Sequence, residues 1–342
     1  MLNSPDGTPV NAVHGVWAMM FKLITKYGPS HIILARDQKG PNFRHELYEE
    51  YKANRVEPPE ELVPQFSLIN ELMDNMGLLS CSATGFEADD VIASICEQWS
   101  QDFDEVIIAS SDKDLMQLID GNIKMLDTMK DKFYDKQAVF EKMGVWPEQI
   151  VDYLSIVGDA SDNIPGMKGI GAKGAAKLLE EYSSLDNCIQ HKDELKGKRL
   201  TTAFSDHLDD AMMSRKLITI VKDLDLGSNS NDSLFSFSRS DKLEEFLESL
   251  GMKTALKKLK EIEQQEYKVE QTNKEGSFKV VETKELPQVN FTVIENEQMF
   301  ESVLENIQTV NRLVFHTEYN SEEILIREIV SISIAMTENE IF

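Results

Sequence analysis

Between residues 10 and 126 short apolar runs alternate with longer stretches of helical period, and this alternation limits the chain to few architectures. Val10, Val13, Trp17, Met20, Phe21 and Ile24 recur at helical spacing, and His31-Ile32-Ile33-Leu34-Ala35 follows as a run of strand length. Residues 60–76 predict a second helix with Leu62, Phe66, Ile69, Leu72, Met73 and Met76 as its buried stripe. A third spans 87–100, the strand Glu105-Val106-Ile107-Ile108-Ala109 comes next, 112–119 reads as helical and 123–126 as another strand. Strands separated by helices of this length require crossover connections, so the expectation is an α/β fold with a mostly parallel sheet covered by helices on both faces.

From 147 the pattern changes to helices joined by short glycine-rich connections. Pro147 starts a helix carrying Ile150, Leu154 and Val157, and Gly166-Met167-Lys168-Gly169-Ile170-Gly171-Ala172-Lys173 reads as a tight hairpin leading into a helix over 175–182. Further helices are expected at 200–220 and 241–264. Residues 265–288 are polar and aperiodic, a linker. Beyond them, strands at 291–295, 312–316 and 329–335 with a helix at 297–307 read as the opening of another α/β domain. The expected division is therefore 1–146, 147–264, a linker over 265–288, and an incomplete segment over 289–342.

Sixty acidic residues stand against 35 basic ones, a net charge of -25. A general basic footprint for nucleic acid is absent, so the placement of the acids matters more than their number. Cys81, Cys96 and Cys188 are too few and too scattered for a disulfide scaffold or a cysteine-rich zinc module. No run approaches the roughly 18 apolar residues of a membrane span, and residues 1–7 have neither a basic nor an apolar leader pattern. The cytoplasm is the expected compartment, with no membrane partner.

In parallel sheets ligands bind beyond the carboxyl ends of the strands. Asp37 follows the strand at 31–35, and Asp112 and Asp114 follow the one at 105–109. Glu87, Asp89 and Asp90 open a helix, where acids in the first turn also suit the helix dipole. Acids from three segments converging on one sheet edge would repel one another, and Mg²⁺ or Mn²⁺ is the usual resolution for an all-oxygen donor set. Asp159 and Asp162 precede the hairpin; taken alone they are turn or cap residues, and with the others they complete a second metal position. Two such ions suit phosphodiester hydrolysis. The hairpin offers backbone N–H groups and Lys168, Lys173 and Lys177 to a phosphate, with no acid between 166 and 179. Arg44, Lys52 and Arg55 are among the cations of a second basic stretch, in which Tyr51, Lys52 and Arg55 combine a stacking ring with two cations, which suits single-stranded nucleic acid, although mixed charge at helical spacing is more often the mark of a solvated face.

The runs FRHELYEEYKANR, GFEADDVIAS, SSDKDLMQL and GDASDNIPGMKGIGAKGAAKLL strongly resemble the 5′-nuclease domain of bacterial DNA polymerase I, over about residues 2–262. The resemblance implies a PIN-like α/β catalytic region over 1–146, a helical gateway, and a DNA-binding helix–hairpin–helix region over 147–264. By position it makes Asp37, Glu87, Asp89 and Asp90 ligands or close neighbours of a first metal, and Asp112, Asp114, Asp159 and Asp162 those of a second. It makes Lys52 and Arg55 the cations at the scissile phosphate, with Tyr51 beside them as a stacking residue, while Arg44 is expected to contact DNA from its place in the same basic stretch. It places Gly169, Gly171 and Lys173 on the duplex backbone with K⁺ at the hairpin. The implied activity is 5′→3′ exonuclease and flap cleavage of DNA, including RNA primer ends and nicked or gapped duplexes, by a monomer.

Two departures shape the expectation. The family opens with a strand of the type LLLVDGSSYLYRA, which has no counterpart ahead of Leu2-Asn3-Ser4-Pro5-Asp6-Gly7, so a central strand and one acid are expected to be missing. That favours, as an alternative, a flap- or nick-binding module with impaired catalysis. The segment over 289–342 resembles the start of the polymerase's 3′→5′ proofreading domain. His316 stands where that family's motif opens with aspartate, while Glu318 is retained. Neither proofreading nor synthesis is expected of this chain, polymerase activity falling to a separate module. Mg²⁺-dependent removal of mismatched 3′ ends would contradict this.

Overall fold

A computed structural model describes residues 2–235 and 241–260 in full, and beyond them the strand backbones at 290–291, 314–319, 329–337 and 340–341. The chain forms two compact units, residues 1–266 and 267–342. The expected helix at 297–307 and the linker at 265–288 lie outside the described residues.

In the first unit α1 (Asn11–Tyr27) leads to β1 (Ile33–Ala35), followed by the short α2 (Phe43–Leu47) and α3 (Val63–Asn75). Then come β2 (Leu79–Cys81), α4 (Ala88–Trp99), β3 (Val106–Ala109), β4 (Ile123–Asp127), β5 (Lys132–Tyr134) and α5 (Lys136–Met143). β1 pairs with β2 in parallel and β3 with β4 in parallel, while β5 returns antiparallel to β4. The parallel pairing expected from the alternation is present, but in two sheets, β1-β2 and β3-β4-β5. The hairpin into β5 escapes the periodicity because it depends on a turn in which Asp131 takes a positive φ of 54°.

The helical part comprises α6 (Ile150–Val157), α7 (Ala172–Tyr182), α8 (Leu185–Gln190), α9 (Lys198–Asp206), α10 (Leu208–Ile218) and α11 (Asp241–Ser249), with a further helix over 253–260. α7 begins three residues before the expected start, since Gly171 is already extended enough to cap it. One apolar cluster joins β3, β4 and the helices α5 to α10; a second joins α1, α3 and α11; a third lies between α4 and the β1-β2 pair. α3 departs from its expected stripe. Leu72, Met73 and Met76 are buried but Phe66 is 48% exposed, because the early contact with α1 is polar: the buried Gln65 accepts the Ala12 N–H (2.7 Å) and donates to Asn11.

In the second unit β6 (Asn290–Phe291), β7 (Val314–Tyr319), β8 (Ile329–Thr337) and β9 (Glu340–Ile341) form a sheet in the order β6-β9-β8-β7. His316 and Glu318 lie on β7, paired with Ser333 and Ser331 of β8. No helix among the described residues is long and apolar enough to cross a membrane.

Candidate active site

Four segments deliver the acids. Asp37, just past β1, accepts the N–H of Ala88 (2.8 Å) at the start of α4. Glu87 caps α4, its N–H donating to Asp90 (3.0 Å), and Asp89 stands beside them in the first turn. Beyond β3, Asp112 accepts the Asp114 N–H (3.0 Å), which sets Asp114 at the head of a tight turn over Asp114–Leu118. Asp159 and Asp162 sit in the loop after α6, closed by reciprocal backbone bonds between Asp159 and Ile164 (2.9 and 2.7 Å).

These acids share an electrostatic neighbourhood. Burial, then Asp112, Glu87 and Asp37, push the Asp89 carboxyl up to about 7, against a smaller pull from Lys52. Burial, Asp112, Asp159 and Asp162 push Asp114 up to about 7 in the same way, opposed by Lys113. Asp112 therefore belongs to both groups. The Asp114 Oδ1 is buried with no hydrogen-bond partner, an expensive state for a carboxylate oxygen. Two lysines partly neutralise the site: Lys52 on Glu87 and 3.7 Å from Asp162, and Lys113 at 3.0 Å from Asp159. Lys113 was not singled out from sequence, though its place between two aspartates in SSDKDL was the available signal.

The donors are all carboxylate oxygens, the set a hard divalent cation prefers, and the orphaned Asp114 oxygen fits such an ion. Yet among the described residues no three acids stand close enough to chelate one ion. The reason is visible in the pairing: Glu87 faces Lys52 and Asp159 faces Lys113, rather than each other.

The gateway segment is stapled to this site. The N–H of Lys52, a residue at φ 56°, donates to Asp162 O (3.0 Å), Asn54 to Ala160 O (2.8 Å) and Asn163 to Glu50 O (2.7 Å). Arg55, more than half exposed, reaches Asp162 at 2.7 Å. Asn54 and Asn163 act by position and, unlike Lys113, had no distinguishing pattern.

Next to the acid loop, Gly158 and Gly166 let two backbone segments touch. A Cβ on Gly158 (φ 79°) would sit 2.6 Å from Ile164 O and 2.7 Å from Pro165 O, and one on Gly166 (φ 64°) would strike the Gly158 backbone. Gly166→Ala is expected to cost at least ~2 kcal/mol, read as a lowered urea midpoint at unchanged slope. Past this contact Lys168, Gly169, Gly171, Lys173 and Lys177 are all exposed, and α7 presents its first turn without a side-chain cap. The structure thus brings the expected cations and glycines to one exposed helix start.

Family models match twice: the 5′-3′ exonuclease N-terminal resolvase-like domain over residues 1–144, and the 5′-3′ exonuclease C-terminal SAM fold over 145–242. A 5′-3′ exonuclease of Aquifex aeolicus is 34% identical over 261 residues, covering 76% of this chain and 89% of that one. The chain belongs to the 5′-3′ exonuclease family. DNA polymerase I of Rhizobium leguminosarum is 40% identical over 263 residues, 75% of this chain but 26% of that protein, so the match spans about a quarter of the polymerase. Among solved structures, bacteriophage T5 5′-exonuclease with bound zinc shares the fold at a TM-score of 0.55 and 21% identity, covering 76% of this chain and 92% of that one.

Three expectations for this 5′-3′ exonuclease-family chain need correction. Asp90 is wholly buried and gives both oxygens to Arg44 (2.7 Å each), while also accepting the N–H groups of Glu87 and Val221 (3.0 and 2.9 Å). Its oxygens are taken up by these donors, so it is no direct metal ligand; it stays an outer acid, bonded to the same Arg44 that also donates to Glu87 (3.2 Å). Arg44 is 2% exposed and also donates to Leu217 O (2.8 Å), so it offers nothing to DNA. Tyr51 is 4% exposed with its hydroxyl on Glu87 (2.8 Å), which leaves no free face for a base. The sequence pattern misassigned Asp90 and Arg44 because buried and exposed charge look alike along a mixed helix face, and Tyr51 because a ring in a turn carries no mark of being packed.

Proposed function

We propose that this chain is a structure-specific 5′ nuclease hydrolysing phosphodiester bonds of DNA at 5′ flaps and 5′ ends. The convergence of Asp37, Asp89, Asp112 and Asp114 beyond the carboxyl ends of β1 and β3, beside Lys52 and Arg55, carries this reading. Mg²⁺ or Mn²⁺ held by Asp37, Glu87, Asp89, Asp112, Asp114, Asp159 and Asp162 would activate water and stabilise the leaving oxygen. Lys52 and Arg55 would meet the negative charge of the scissile phosphate as it enters the gateway. The exposed hairpin, with Lys168, Lys173 and Lys177, would hold the duplex portion through its phosphates, contacts that set the position of the duplex without reading its sequence.

The family relationship supports this, and so does a solved bacteriophage T5 flap endonuclease in a pseudo-enzyme–product complex with DNA and metal ions, which shares the fold at a TM-score of 0.54 and 22% identity. The test is cleavage of a labelled 5′-flap duplex by the full chain in Mg²⁺, with Ca²⁺ as a binding control. Cutting near the flap junction in Mg²⁺ is expected. Binding in Ca²⁺ with no turnover in Mg²⁺ would overturn the enzymatic reading. Lys173→Ala is expected to weaken duplex binding and to reduce the slope of log affinity against log salt by about 1, one phosphate contact's worth, in a fluorescence titration across salt concentrations.

A further inference from the structure

The acids of the candidate site meet cations from two sources. Lys52 and Arg55 reach Glu87 and Asp162 from the gateway segment. Lys113 instead belongs to the acid turn itself. Its carbonyl accepts the Met116 N–H (3.1 Å), and the next residue, Asp114, has its N–H held by Asp112 (3.0 Å). The root of the Lys113 side chain is thereby fixed between two of the acids.

The Lys113 ammonium lies 3.0 Å from Asp159 Oδ1. The same oxygen accepts the Ser161 N–H (2.9 Å) and the Ser161 hydroxyl (2.7 Å), so the ammonium is the charged member of the donor set that fixes this carboxylate. Asp159 is 5% exposed, and Lys113 is its ion-pair partner among the described residues. The same ammonium pulls against the crowding of Asp114 by Asp112, Asp159 and Asp162, and Asp114 Oδ1 is buried with no partner. Arg44 and Asp90 make a contrast: both partners are sealed, and the pair serves the fold. The Lys113 side chain is 36% exposed. An ammonium on a flexible stem beside water can give up a carboxylate and recover its hydration, which a sealed guanidinium cannot.

We propose that Lys113 is a tethered counter-ion. It holds Asp159 and the neighbouring acids together when no divalent cation is bound. It also competes with that cation for their charge, so the site binds the ion more weakly than its carboxylates alone would. The inference deepens the nuclease reading and rests on it. Lys113 acts through Asp159 and is a positioning residue. Its single charge has two effects of opposite sign, favouring the cation-free fold and opposing cation binding. Repulsion between a unit charge and a doubly charged ion a few ångströms apart, even screened as in water, changes an affinity by roughly tenfold.

The test is Mn²⁺ binding by the full chain, followed as loss of the free-ion paramagnetic resonance signal, beside thermal unfolding in chelator and in saturating Mn²⁺. Lys113→Met keeps an apolar stem without the charge. It is expected to bind Mn²⁺ roughly tenfold tighter, to unfold at a lower temperature in chelator, and to gain more from Mn²⁺ than the native chain. Lys113→Arg keeps the charge and should bind within about threefold of native. Lys124→Met removes a surface lysine paired with Glu105 and should leave the affinity unchanged. A bridge that merely braces the loop would lower stability in chelator and leave Mn²⁺ binding equal or weaker, and that result would overturn the proposal. Equal tightening by Lys124→Met would also overturn it, as an effect of net charge, and equal tightening by Lys113→Arg would do so as an effect of shape. If the native chain binds no Mn²⁺, the nuclease reading itself falls and the inference with it. A wrong sign in Lys113→Met alone overturns the inference and leaves that reading standing.

Discussion

Asp114→Ala is expected to lower cleavage of a 5′-flap duplex more than 100-fold while leaving duplex affinity in Ca²⁺ within about twofold. Removing groups that merely orient a metal ligand costs 10–100-fold, so loss of a carboxylate among the acids themselves should exceed that. Binding is spared because the duplex contacts proposed above lie on the hairpin, around Lys168 to Lys177. The same substitution should not destabilise the cation-free protein. Asp114 has a buried oxygen without a partner and a carboxyl raised to about 7 by burial and by Asp112, Asp159 and Asp162, so its ionised form opposes folding near neutrality. Unfolding in chelator would therefore move to equal or higher temperature as activity disappears. A native cleavage rate, or a clear fall in stability in chelator, would show that Asp114 serves the fold rather than the site.

Arg44→Met is expected to cost about 3–5 kcal/mol in urea unfolding, the usual penalty for stranding a buried charge. Arg44 holds Asp90 through two 2.7 Å bonds, and also ties α2 to the start of α4 and to the end of α10 through Leu217 O. Adding Asp90→Leu should recover part of the loss, since no unpaired anion then remains. The pair also makes stability depend on pH. Burial acts to raise the Asp90 carboxyl, but the Arg44 bonds and charge and the N–H groups of Val221 and Glu87 outweigh it, leaving the group below its ordinary value. Such a group contributes stability that is present above the unfolded-state pKa, about 3.9, and is lost as pH falls through the lower folded value. The acid limb of the stability curve should therefore flatten in the double variant. If Arg44→Met unfolds like the native chain, the ion pair holds nothing together.

Much of the local structure was legible in advance because it rests on short-range physics. The helical period of Val13, Trp17 and Met20 places α1, and the apolar runs at 33–35 and 106–109 place β1 and β3. The glycines of GDASDNIPGMKGIG read as a tight hairpin open to a phosphate; that Gly158 and Gly166 instead let two backbone segments touch is visible only in the tertiary structure. The acids beyond the strands could likewise be named from chain position, as could the exposed lysines beside α7. What sequence could not separate was which charges face inward. Asp89 and Asp90 are neighbours on one turn, yet a helix rotates about 100° per residue, so one joins the acid neighbourhood and the other is sealed against Arg44. Whether a residue is a ligand or a strut depends on what packs against it, and here that is α2, brought in from more than forty residues away. The same holds for the sheet. Alternation alone dictates parallel strands, but pairing is a long-range choice among edges, and only the tertiary structure divides them between β1-β2 and β3-β4-β5.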